Sequence, residues 1–464
     1  MSEIASPPGR GPGAGLAALV PQRSAGLKLI LVCALALLMA IPALFVYGVV
    51  YERSTREQAA IIDVSQRFGG AQSVLGPVLA APWSRTPDPK KPDAVEYGFA
   101  IAYAETGTAS ADVAVEPRRR GLYTVPVFDA ELELEAVFDP AALRNAVPRD
   151  ATAFWADARL YLGISDSRGV KDAFRVTANG RAVAIEPAPA PWSDGSSYAA
   201  TPQSGVTLAG GAVPDLETLE TPLRVTAALR FTGADRFAVG PFAKDTTLKM
   251  RSDWPDPSFT GGVLPEAHTA GGEDGFEASW RVPYLARGIP GAGARLSLHD
   301  VTNWDNRDMA VRFINQASPY QSVQRALKYA VMFIGFVFLA YFLFEVTSGA
   351  RAHPAQYVLV GLAQSIFYLL LLAVSERLGF DIAFGVAAGM TILLTAAYAA
   401  SVFRSAAYGL RAFGILSGIY ALMYVLMRAE DHALLAGAFA SFAAIALTMW
   451  MTRNVEWYGG AAPR

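Results

Sequence analysis

Residues 329–346 read YAVMFIGFVFLAYFLFEV, and four more apolar runs follow: AQYVLVGLAQSIFYLLLLAV (355–374), FDIAFGVAAGMTILLTAAYAASV (380–402), AFGILSGIYALMYVLM (412–427) and ALLAGAFASFAAIALTMWM (433–451). A hydrocarbon core about 30 Å thick is crossed by roughly 20 helical residues at about 1.5 Å each. Four of the five runs meet that length, and the short 412–427 run reaches it by extending back to Gly409 and Leu410. A sixth run, LKLILVCALALLMAIPALFVYGVV (27–50), stands alone near the start and carries no charge after Lys28. Signal-peptide cores are about 7–15 residues and end in a small-residue cleavage site. This run is longer and ends in Val-Val-Tyr-Glu-Arg, so it reads as a retained anchor, with Pro42 as a mild kink. Residues 329–451 therefore form a five-helix transmembrane bundle, and 27–50 a separate first span.

Charge assigns the sides. Lys and Arg accumulate in short cytoplasmic loops. Arg10, Arg23, Lys28, Arg351, Arg404, Arg411, Arg453 and Arg464 fall on one side of the six spans. The two short loops on the other side hold Arg377 and Arg428 against Glu376, Asp381, Glu430 and Asp431. Both termini are then expected in the cytoplasm: a disordered tail of residues 1–26 and a short tail of 452–464. Residues 51–328 are expected outside, in the periplasm. Tyr329, Tyr341, Trp450 and Trp457 sit where interfacial aromatics belong.

The middle of the chain changes period. Residues 51–67 are helical in pattern, continuing the first span until Gly69-Gly70. Beyond them apolar and polar residues alternate at 95–103, 122–128, 131–138, 159–164, 174–177, 223–231, 246–251 and 276–282. Period-2 runs broken by Gly, Pro, Asp and Asn indicate a mainly antiparallel β domain, expected as one or two sandwich lobes. Asn179-Gly180 is a hairpin turn signal. Residues 318–328 are expected to lead back to the membrane as a helix.

The totals narrow the function classes. A net charge of −2 offers no basic footprint for nucleic acid. The single cysteine, Cys33, excludes an intramolecular disulfide. His268 and His299 have no partner at ligand spacing, so no metal site and no cofactor is expected. The Asp300–Asp308 region lacks the glycine and terminal glutamate of a calcium loop. Ser165 lacks the elbow of a nucleophilic serine and reads as a turn residue. Arg118, Arg119 and Arg120 read as a solvated turn.

Candidate functional or structural residues remain. Trp254 and Phe259 lie in a Pro/Gly-rich segment, 251–262, expected to be irregular and to plug the domain with a buried tryptophan. Glu345 is an acid at the end of a span, which marks a functional site unless a partner neutralises it; Arg351 is the expected partner. His353 lies close by, and Gln356, Gln364, Ser365 and Tyr368 share one face of the next span as hydrogen-bonding glue. Glu376, Glu430 and Asp431 make an acidic rim, expected to dock the β domain through ion pairs.

Longer motifs carry a resemblance. They are Gly76-Pro-Val-Leu79, Arg119-Arg-Gly-Leu-Tyr123 with Val125-Pro-Val127, Ser252-Asp-Trp-Pro255, Pro257-Ser-Phe259 and Leu285-Ala-Arg-Gly-Ile-Pro290. Lys328-Tyr-Ala330, Phe344-Glu345, His353-Pro-Ala-Gln-Tyr357, the run 367–372 with Ser375-Glu376, then Glu430-Asp431 and Trp457-Tyr458 complete the series. In this order they resemble the CreD family of bacterial inner-membrane proteins. The chain departs from the family pattern at Gln316-Ala-Ser318 and at Arg428 and His432. The resemblance implies this same topology and a role in cell envelope integrity and envelope stress, under a two-component regulatory system. It supplies no catalytic residue. The expected partners are the lipid bilayer and envelope or two-component membrane proteins. Transport or lipid handling through the polar residues of the bundle is the rival reading, and a periplasmic sensor acting through a membrane partner is the third.

Overall fold

A computed structural model describes residues 25–87, 90, 94–120, 123–188, 206–269, 272, 274–294, 296, 307–313, 319–348, 352–428, 433–455 and 457. The expectations for the tail of residues 1–24 and for Glu430, Asp431, His299 and Arg351 lie outside them. The chain forms two compact units, Met1–Arg56 with Ala317–Arg464, and Glu57–Gln316.

Among the described residues six helices are long and apolar enough to cross a membrane. The first span is two helical segments, Ala25–Leu38 and Ala40–Arg67, separated at Met39. Pro42 lacks the N–H that would bond back to Leu38, which accounts for the break one turn earlier. The others are Ala330–Ser348, Pro354–Leu378, Phe380–Val402, Ala406–Arg428 and Ala433–Thr452. The fifth is therefore full length: Tyr408 and Gly409 join a helix whose apolar run alone looked short. The first span packs on Ala330–Ser348 and Pro354–Leu378 through a close approach at Gly361. A Cβ there would lie 2.5 Å from Met39 Cγ, so glycine lets the two helices meet. Pro319–Lys328 is a separate helix that buries Tyr320, Val323 and Ala326. Tyr341 is not an interfacial anchor. It is buried, and its hydroxyl donates to the Thr395 carbonyl at 2.7 Å.

In the second unit the helix ends at Gly69 and Gly70, both at positive φ (91° and 61°). The described strands then form one hydrogen-bonded sheet of 17 strands, mainly antiparallel, rather than separate sandwich lobes. The reason is strand length. Strand Glu96–Arg120 runs through both halves. Its first residues pair with strand Gln72–Arg85, and its later ones with Tyr123–Phe138 on one side and Ala243–Ser252 on the other. Its second half, rich in Ala, Gly, Ser and Thr, has alternation too weak to read as strand. Arg118, Arg119 and Arg120 are the exposed end of this strand, not a turn, and Arg120 pairs with Asp63. Strand Gln72–Arg85 is almost wholly buried, so it shows no alternation either. A register shift between Leu75 and Val78 accommodates Gly76-Pro77 inside it. A side chain at Gly76 would strike Phe242, with its Cβ 2.3 Å from that ring. The Asn179-Gly180 turn joins Arg175–Ala178 to Arg181–Val183 with both φ values positive, as expected. Phe128, Phe231, Phe237 and Phe313 meet at the centre of the core.

Candidate functional site

The polar residues of the helical unit are brought together at the end of Ala330–Ser348. Glu345 is buried. One carboxylate oxygen pairs with Lys28 Nζ of the first span, and the other accepts from the Tyr357 hydroxyl at 3.1 Å. Lys28 Nζ also donates to the Ala352 carbonyl at 2.9 Å. Among the described residues the partner of Glu345 is Lys28; Arg351, the expected partner, lies outside them. Lys28 is far in sequence, which is why spacing did not find it. A carboxylate with a cation and a hydroxyl donor is satisfied in an apolar setting, where an unpaired one would be costly.

His353 and Gln356 have a local explanation. His353 is the N-cap of Pro354–Leu378, and its Nδ1 accepts from Ala355 N at 3.2 Å. Gln356 Oε1 accepts from His353 N at 2.9 Å, closing a capping box, with Pro354 at the first helical position. Gln356 is a cap, not glue between helices. The segment His353-Pro-Ala-Gln-Tyr357 is therefore one device: it starts the helix and delivers Tyr357 to Glu345.

Deeper in the same helix, Tyr420 donates its hydroxyl to Gln364 Oε1 at 2.7 Å, an interhelical bond of the expected kind. Ser365 returns to its own helix, donating to the Gly361 carbonyl at 3.1 Å. At the opposite end, Glu376 accepts from the Tyr320 hydroxyl at 2.9 Å and lies 4.0 Å from Arg53. Asp381 pairs with Arg428 and accepts from the Tyr424 hydroxyl at 3.0 Å. The described acids of this rim are partnered within their own unit.

In the β unit, the segment 251–262 is more regular than its composition implied. Pro257–Gly261 is a strand paired antiparallel with Met309–Phe313. Trp254 is half-buried rather than enclosed. It stands edge-on to Phe313 at 6.5 Å, and its Nε1 donates to the Asp256 carbonyl at 3.1 Å. Phe259 packs between Phe276 and Trp280, at 5.8 Å from each ring. Both aromatics close the sheet. In the segment Leu285–Pro290, Arg287 is fully buried, donates to the Pro241 carbonyl at 3.2 Å and lies 3.8 Å over the Tyr103 ring. Burial pulls its guanidinium below the usual arginine range.

One polar centre was not anticipated. Gln72 is fully buried, and its amide donates to the carbonyls of Asp166 (3.0 Å) and Thr232 (3.2 Å). Its carbonyl accepts from Ser165 Oγ (3.0 Å) and Asp166 N (3.2 Å). Ser165 is the other half of this joint, accepting from Ser73 N at 2.9 Å. A lone glutamine beside two glycines carries no periodic signal; only chain crossing exposes its role.

The comparison with known proteins bears on these same segments. A family model described as inner membrane protein CreD matches residues 24–458. The chain belongs to the CreD family. It is also 29% identical over 437 residues to the inner membrane protein CreD of Escherichia coli (strain K12), covering 92% of each chain. Membership spans both units, so the Lys28–Glu345–Tyr357 cluster and the Gln72 joint both lie within the CreD match. Six apolar helices place this CreD-family chain in contact with a lipid bilayer. Among its described residues no three His, Cys, Asp or Glu side chains gather as metal ligands.

Proposed function

We propose that the chain is an inner-membrane protein with both termini in the cytoplasm and residues 51–328 in the periplasm. It supports cell envelope integrity or the envelope stress response by holding this domain at the membrane, without catalysis of its own. Family membership supports the inner-membrane placement. The excess of Arg and Lys on one side of the spans supports the orientation. One observation favours scaffolding over solute movement: Glu345, His353 and Gln356, the polar groups best placed for a path, are all engaged in internal bonds.

The test is complementation. A deletion strain carrying the double variant Lys28→Met/Glu345→Gln, at wild-type protein level, is expected to resist detergents and envelope-directed drugs like wild type. Loss of resistance with intact protein favours transport or lipid handling, the second reading. Crosslinking of the β domain to a two-component kinase would favour the sensor reading.

A further inference from the structure

Gln364 lies near the middle of Pro354–Leu378 and is 4% exposed. Its amide is oriented by Tyr420, whose hydroxyl donates to Oε1. Nε2 then faces the other way with two protons, and no acceptor among the described residues meets it. It borders a small cavity walled by Phe333, Ile334 and Met423, with Tyr368 on the same lining. The Tyr368 hydroxyl is buried too, and its acceptor is the Met423 sulfur at 3.9 Å, a long contact to a weak acceptor. Two donors thus border one small cavity in the middle of a membrane bundle.

An amide left without an acceptor in hydrocarbon costs several kcal/mol at the upper end of measured scales, so such donors are ordinarily satisfied. We propose that Gln364, Tyr368 and Tyr420 form a binding site for one small, uncharged hydrogen-bond acceptor, and that its size selects a water molecule. The lining carries no ionised group, so an anion would lie in hydrocarbon without a counter-charge. The cavity is of the size that holds a single water. That water accepts from Nε2 and from the Tyr368 hydroxyl, both on Pro354–Leu378; Ala406–Arg428 joins the network through the Tyr420 bond to Gln364, and Ala330–Ser348 lines the cavity with Phe333 and Ile334. A site of this size is a joint and not a passage, because a solute larger than water does not fit beside the aromatic walls.

Electron cryomicroscopy of the full chain in lipid nanodiscs, at a resolution that shows ordered water, tests this. A single compact density is expected at about 2.7–3.2 Å from Gln364 Nε2. A dry cavity, or an elongated lipid-like density, overturns the proposal. Tyr368→Phe keeps the ring and removes one donor, and is expected to weaken the density; unchanged density overturns the two-donor site. Gln364→Leu is expected to lower the melting temperature in nanodiscs, because a satisfied amide is lost. A raised melting temperature would show that the amide was an orphan all along.

Discussion

Glu345 shows how one residue acquires its meaning from a distant neighbour. Its carboxylate is held by Lys28 and Tyr357, and removing it leaves Lys28 without its counter-ion. Breaking a buried pair costs about 3–5 kcal/mol, and the partial exposure of Lys28 reduces this to roughly 2–3 for Glu345→Ala. Lys28→Met combined with Glu345→Gln removes both charges and is expected to recover most of that loss. Thermal unfolding of the three proteins in nanodiscs checks both statements; a double variant no better than the single would show that the pair is not the reason. Trp254 is the second case. Truncating a fully buried tryptophan costs about 3–5 kcal/mol, and half-burial puts Trp254→Ala near the bottom of that range or just below, about 2–3. Unchanged melting together with lost function in cells would instead make this a binding surface.

At the scale of elements, stability concentrates where segments begin, end and cross. His353→Ala removes the N-cap of Pro354–Leu378 and is expected to cost about 1 kcal/mol, read as a lower melting temperature. His353→Asn, a stronger capping residue, is expected to restore it. The Gln72 joint depends on close packing: a Cβ at Gly169 would fall 2.3 Å from the Thr232 carbonyl oxygen, so Gly169→Ala forces this crossing apart. Beside it, hydrogen bonds from Arg168 hold the Asp166 carboxyl below the usual carboxylate range. A depressed folded pKa means stability that is present above the unfolded value, about 3.9, and lost as pH falls through the folded one. Asp166→Asn is therefore expected to melt below wild type at neutral pH. The difference should close as the pH drops below about 4, and a difference independent of pH would assign the loss to packing alone.

For the molecule as a whole, the proposed orientation makes a direct prediction. Alkaline phosphatase fused after Gly180 or Arg287 is expected to be active, and a fusion after Arg404 inactive, because the enzyme folds only outside the cytoplasm. Activity after Arg404 would reverse the charge argument. Protein mass fixes the first span: an intact N-terminus is expected, and a mature start near residue 50 would replace the anchor with a signal peptide.

Which parts were legible from the chain itself follows from the range of each signal. Hydrocarbon length and apolar composition are local properties, so the six spans could be read directly. The Asn179-Gly180 hairpin and the alternating strand Tyr123–Phe138 could be read for the same reason. The long strand Glu96–Arg120 was only partly legible, because alanine and glycine carry little hydrophobic contrast, and Gln72–Arg85 was lost because a strand buried on both faces has no period. The candidate site divides in the same way. The sequence marked Glu345, His353, Gln356 and Gln364 as polar groups in apolar surroundings. The roles of Glu345 and Gln364 were decided by tertiary structure, since Lys28 and Tyr420 lie in other helices and no spacing rule spans the loops between, whereas His353 and Gln356 cap their own helix. A membrane forces its spans to be visible one at a time, whereas a buried polar group is explained only by whatever the fold brings to meet it.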